Sequence, residues 1–331
     1  MQNSTIRKIL YTPPRGIGDL IFSLPLLHSL RQAYPEAAIY VSIPKDKKNI
    51  VDLIGFLETT LDYLPKPYDD PLAAQRWDAS AREDTEEKYR LEKLIYEKYL
   101  LGEEYDLAII PKNFHINTIL CNAQISEEDL RKKGIETKDI HMVDRFLKFA
   151  DYLGIEKHLS FELKIPEGDV TLNSGWKLIS SKPYVVLNLG ASLGKKTWTN
   201  KGYKEVASWS LDNGFNVILI GDNVCFDNAL EIQDGNSEIL NTVLKTGYSF
   251  DLKNYALLAS KSAGVIGPDS GLLHLADAAG AKVIGLYGAT SPKKYAPYHN
   301  QKNVVSRYNI DGNVKNISPD EVIGKLEKVL K

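Results

Sequence analysis

The sequence predicts an α/β protein of two doubly wound parallel sheets. Apolar strands alternate with helices in both halves of the chain, the pattern of a parallel sheet covered on both faces. At 331 residues the chain exceeds what one core usually holds, so two domains of roughly 150 residues are expected. A stretch rich in Pro, Gly and Ser, "KIPEGDVTLNSGWKLISSKP" at 164–183, lies where a connection between them would fall.

In the first half the reading runs strand 7–12, helix 19–34 and strand 38–43, then a strand "YDLAII" at 105–110 and an amphipathic helix over 142–155. Between them, 69–104 is dense in charge, with Leu91, Leu94, Ile95 and Tyr99 at helical spacing, and reads as a solvated helical excursion. The second half offers strands in "YVVLNLG", "FNVILIG", "AGVIG" and "KVIGLYG". Its helices lie in "KGYKEVASWSLDNG", "DLKNYALLAS" and "SGLLHLADAAG". In the tail, Ser318 reads as N-cap, Pro319 as first helical residue and two acids follow in the first turn. The resulting division is 1–165, a linker 166–182, 183–317, and a closing helix 318–331 expected to pack back toward the first domain. Two such sheets facing each other would leave a cleft at the carboxyl ends of their strands.

Bulk properties narrow the function classes. A net charge of −2, a pI near 6.3 and a mean hydropathy of −0.26 provide no general attraction to nucleic acid or an anionic membrane. Any anionic ligand must then be met by local donors. Cys121 and Cys225 are far apart and outside any CxxC spacing, against a disulfide framework or a zinc site. The start "MQNSTIRKILY" lacks the apolar run of a signal peptide, and no apolar stretch approaches the roughly 20 residues of a membrane span. A cytoplasmic protein with at most peripheral membrane contact is expected.

Three stretches could carry chemistry. In "PPRGIGDL" an acid, Asp19, stands at the mouth of an apolar helix behind Gly16 and Gly18, which would let the loop turn tightly. It could cap that helix or act as a base. In "GVIGPDSGLLHLADAAG" a buried strand ends near Gly267 and a helix starts near Ser270. The free N–H groups of Ser270, Gly271 and Leu272 would make an anion cradle unless Asp269 or Ser270 caps them. His274, one turn in, either reaches a ligand oxygen or is structural. The third stretch, "GASLGKKTW", places Lys195 and Lys196 in a loop at a strand's carboxyl end, solvated or neutralising a diphosphate.

Together these segments resemble glycosyltransferase family 9, the heptosyltransferases of lipopolysaccharide core assembly, over almost the whole chain. The matching segments are "GIGDLIFSLPLLHSLRQAYPEAAI", "GASLGKKTW", "TGYSFDLKNYALLAS" and "DSGLLHLADAAGAKVIGLYGATSP". The resemblance implies two facing Rossmann-like domains, the GT-B fold, with the active site in the interdomain cleft. It implies an inverting, metal-independent transfer of a sugar, ADP-heptose being the expected donor, to a glycan or glycolipid acceptor at the inner face of the inner membrane. Asp19 falls on the family's catalytic base, and Lys196, Asp269, Ser270, Gly271 and His274 on its donor site. No resident cofactor is implied, and Asp269, which would repel a diphosphate, is expected to bond donor sugar hydroxyls. The loop "TPPRGIG" departs from the family's Ser- or Thr-rich form, and its Arg15 adds a cation for an acceptor phosphate or carboxylate.

Other readings remain. An epimerase on the same fold would need acids and histidines around the sugar, and a non-catalytic homologue would bind the nucleotide sugar alone. A dinucleotide oxidoreductase fits poorly, because "GIGDL" is not GxGxxG.

Overall fold

Short apolar strands bounded by turn residues set the frame. The structure, a computed structural model, describes residues 6–13, 16–42, 49–57, 104–111, 120–171, 182–191, 194–244 and 251–330. The chain forms two units, one of 1–138 with 143–161 and one of 139–142 with 162–331. The second unit thus begins ahead of the expected linker at 166–182. Arg15 and all but Glu104 of the charged excursion 69–104 lie outside the described residues.

The first unit holds β1 (Lys8–Tyr11), β2 (Ala38–Val41), β3 (Glu104–Ile110) and β4 (Leu120–Ser126) in the order β2-β1-β3-β4, all parallel. Its sheet is buried, as parallel strands require, with Ile9, Leu10, Ile39 and Ile109 fully enclosed. The expected helix over 19–34 is instead two, α1 (Ile17–Phe22) and α2 (Leu24–Ala33), meeting at Ser23. Pro25 causes the break, because it has no N–H to offer the carbonyl four residues back and its ring crowds that carbonyl. Helix α3 (Asn49–Ile54) follows β2, α4 (Glu127–Lys132) follows β4, and α5 (Met142–Leu153) follows α4.

The second unit holds β5 (Tyr184–Asn188), β6 (Asn216–Ile220), β7 (Ile239–Asn241), β8 (Gly264–Pro268), β9 (Val283–Tyr287) and β10 (Val304–Ser306). They form one parallel sheet in the order β10-β9-β8-β5-β6-β7. The chain winds outward from β5 to β7 and returns through β8, so β5 and β8 are neighbours at a topological switch point. Ligands of open parallel sheets bind at the carboxyl side of such a point. Its helices are α6 (Asn200–Asp212), α7 (Phe226–Gln233), α8 (Leu252–Lys261), α9 (Gly271–Ala278), α10 (Pro292–Tyr295) and α11 (Pro319–Leu330). Gly214, at φ +84, ends α6 where sequence placed the stop.

The closing helix α11 starts where the sequence places it. Its Ser318 and Glu321 do form a reciprocal cap, with Glu321 N–H donating to Ser318 Oγ and Ser318 N–H to the Glu321 carboxylate. Val322 and Leu326 are fully buried in the second unit's own core with Val185, Val206 and Ile284, because that sheet offers the apolar surface next to it in the chain.

Candidate active site

The switch point in the second unit gathers most of the residues singled out from sequence. Strand β8 ends at Pro268 and delivers Asp269 into the turn before α9. Asp269 is 6% exposed, and both of its carboxylate oxygens are occupied. Lys196 Nζ donates to Oδ2 at 2.7 Å, and His274 Nε2 lies 3.1 Å from Oδ1. A carboxylate only accepts, so Nε2 carries the proton. Burial alone would push the Asp269 carboxyl up, but the hydrogen bond and charge of His274, with those of Lys196, hold it at about 2. Asp269 is therefore an anion at neutral pH.

The Lys196 loop is placed by its neighbour Trp198. The indole is buried, its Nε1–H donates to Ile317 O at 3.0 Å, and its ring stands edge-on to Tyr203 at 5.1 Å between centroids. It lies flat against Gly202, where a methyl would come within 2.4 Å of the ring, so only glycine lets α6 approach this closely. Two residues back along a 3-10 turn, Gly194–Lys196, the lysine side chain is directed to Asp269.

Ser270 caps α9, its Oγ accepting from Leu273 N–H. Of the two sequence readings of this helix start, the cap is present. Gly271 is the first helical residue. His274 is 3% exposed, with Nε2 on Asp269. The two Asp269 oxygens face Lys196 Nζ and His274 Nε2. Sequence reasoning missed Asn188, fully buried at the end of β5, whose Nδ2 donates to Ser270 Oγ at 2.9 Å. The signal was available, since one amide ends the otherwise apolar run "YVVLN". Gly267 lets the two strands meet there, as a methyl on it would sit 2.8 Å from Asn188 Cβ.

In the first unit, Asp19 is half-buried and occupies the third residue of α1. It is not the N-cap, because the helix starts at Ile17 with Gly16 as cap. Gly16 is extended at φ −175, and a methyl there would meet nothing within 4 Å. Gly18 lies inside the first turn of α1. Among the described residues no group of three or more His, Cys, Asp or Glu converges as a metal ion would require. None of the described helices is long and apolar enough to cross a membrane.

A parallel two-unit α/β fold with a lysine, a buried carboxylate and a helix start at the switch point has donors able to meet an anionic ligand. Residues 123–321 match the family model described as glycosyltransferase family 9 (heptosyltransferase). The chain belongs to this family and is a glycosyltransferase. The lipopolysaccharide core heptosyltransferase OpsX of Haemophilus influenzae is 33% identical over 170 residues, 51% of this chain and 48% of that protein. In that match the chain spans about half the relative's length. Lipopolysaccharide heptosyltransferase 2 of Salmonella typhimurium is 25% identical over 322 residues, covering 90% of this chain and 87% of that one. Among solved structures, the Escherichia coli heptosyltransferase WaaC with ADP shares the fold at a TM-score of 0.69 and 18% identity, over 97% of this chain and 99% of that one.

Proposed function

We propose that the chain moves a heptose from ADP-heptose to a hydroxyl of a lipopolysaccharide-core acceptor, with inversion at the anomeric carbon and Asp19 as general base. The observation that carries the reading is the Lys196–Asp269–His274 network at the switch point of a family 9 fold. WaaC solved with ADP and with ADP-2-deoxy-2-fluoro heptose supports the choice of donor.

In this reading the departing diphosphate meets Lys196, the Ser270 hydroxyl and the N–H groups that open α9 at Gly271. Asp269 and His274 serve it indirectly: the anion fixes the ammonium of Lys196, and the imidazole fixes the anion. Positive charge is thus supplied without a resident cation, and transfer that survives EDTA supports this while loss under EDTA refutes it. Asp19, in the first turn of α1, takes the acceptor proton as the new bond forms.

The test is transfer from ADP-heptose to a heptose-deficient lipopolysaccharide acceptor. Asp19→Asn should lower turnover by about 10²–10⁴-fold with melting unchanged. More than about a tenth of wild-type turnover in a folded Asp19→Asn protein removes Asp19 from the role of base.

A further inference from the structure

Asn188 stands behind the donor site and touches it only through Ser270. Its amide orientation is fixed by its neighbours. The Gly190 N–H can only donate, so Oδ1 faces it at 3.3 Å, and Nδ2 faces Ser270 Oγ at 2.9 Å. Ser270 Oγ therefore accepts twice, from Asn188 Nδ2 and from Leu273 N–H at 3.3 Å. A hydroxyl has two lone pairs and one hydrogen, so the hydrogen is the only capacity left to it. No acceptor among the described residues takes that hydrogen, and Ser270 is half-buried, open enough to meet a ligand.

We propose that Asn188 is a positioning residue that sets the polarity of Ser270, forcing its hydroxyl to donate outward to an anionic oxygen of a nucleoside diphosphate. The inference rests on the donor reading above and deepens it. Asn188 is suited to the task because its own place is over-determined: the side chain is fully enclosed, its carbonyl accepts from Tyr203 O–H at 2.8 Å, and Gly267 packs against its Cβ. The same amide joins Gly190, at the start of the Lys196 loop, to the cap of α9, so lysine and hydroxyl are held in one frame.

The experiment is calorimetric titration at pH 8 of wild type, Asn188→Asp, Ser270→Ala and the double variant, with ADP and with adenosine. An aspartate carboxylate is nearly isosteric with the amide but cannot donate, so Ser270 would turn its hydrogen inward. Asn188→Asp should weaken ADP about tenfold or more and leave adenosine unchanged, since a hydrogen bond to a charged group is lost. In the Ser270→Ala background the change at 188 should add little. The Asn188→Asp defect should narrow as pH falls and the carboxyl regains a proton to donate, a response that a merely structural asparagine would not give. Should Asn188→Asp fail to fold, Ser270→Ala alone decides, the expected result being the same loss of ADP with adenosine unchanged. Wild-type ADP affinity in the variants, equal loss of ADP and adenosine, or the same loss with and without the Ser270 hydroxyl overturns the polarity assignment alone. A wild-type protein that binds no ADP overturns the donor reading with it.

Discussion

The two units present their charged residues in opposite ways. In the second, Asp269 is enclosed and has both oxygens engaged, so it holds Lys196 and His274 in place, and Asn188 holds Ser270, before any ligand arrives. In the first, Asp19 rides half-buried on a six-residue helix whose cap, Gly16, has no side chain to fix it. The difference follows from the tasks proposed for them. A diphosphate is bound by fixed cations and donors, which cost no reorganisation as charge develops. A base must reach a proton on an incoming hydroxyl and needs access more than enclosure.

The contrast is broken most sharply by paired substitutions. Asp19→Asn is expected to remove turnover and spare stability, as set out above, whereas Asp269→Asn should cost both. Its folded carboxyl titrates near 2, below the ordinary 3.8, so its contribution is present above the unfolded value and lost as pH falls through the folded one. The gap amounts to about 2 kcal/mol at neutral pH. Denaturant melts at pH 7 and pH 2 should show wild type losing that margin while Asp269→Asn does not. Equal pH dependence in the two proteins would mean that the network does not hold the carboxylate.

A second test asks whether the first unit's rigidity lies away from Asp19. Arg31, in the last turn of α2, donates to the carbonyls of Pro35 at 2.8 Å, Ala37 at 2.7 Å and Phe56 at 3.0 Å, tying the helix to the start of β2 and the end of α3. Arg31→Ala should lower stability by about 2 kcal/mol, because three carbonyls lose a charged donor, with turnover of the folded protein unchanged. A fall in turnover without a fall in stability would place Arg31 in the site instead.

The smallest effect concerns the far end of α9. Asp277 accepts from His299 N–H at 3.0 Å and from its ring Nδ1 at 3.2 Å, with Asn300 Nδ2 on the other oxygen at 2.7 Å. The hydrogen bond to Asp277 raises the His299 pKa against the effect of burial. A raised folded value gives stability that is full below the unfolded pKa and lost as pH rises through the folded one. The ring is half-exposed, so less than about 1 kcal/mol is at stake. The melting gap between wild type and His299→Gln should be open at pH 5.5 and closed by pH 9, and a gap that widens with pH would reverse the assignment.

Local pattern made much of the fold legible. Strands β1, β5, β6, β8 and β9 are mostly apolar runs, and α6 is closed by a glycine. What escaped was of two kinds. Strand β4 is "LCNAQIS", too polar to announce a strand, although the Ser126-x-x-Asp129 box beginning α4 could have been read, since Asp129 accepts from Ser126 N–H at 2.8 Å. The helix over 19–34 was read through its break because apolar spacing continues across Ser23 while Pro25 interrupts the hydrogen bonds.

The sequence by itself determined the α/β class, the two-unit organisation, the family, and which acids, lysine and histidine to watch. Those follow from periodicity and local motifs, which neighbouring residues express together. Only the tertiary structure decided how they are used. It turned His274 and Lys196 onto Asp269, packed α11 on the second sheet, and brought Asn188 to Ser270 across 82 residues of chain. Such pairings depend on which strands become neighbours, and the order that sets β8 beside β5 is written in no local stretch.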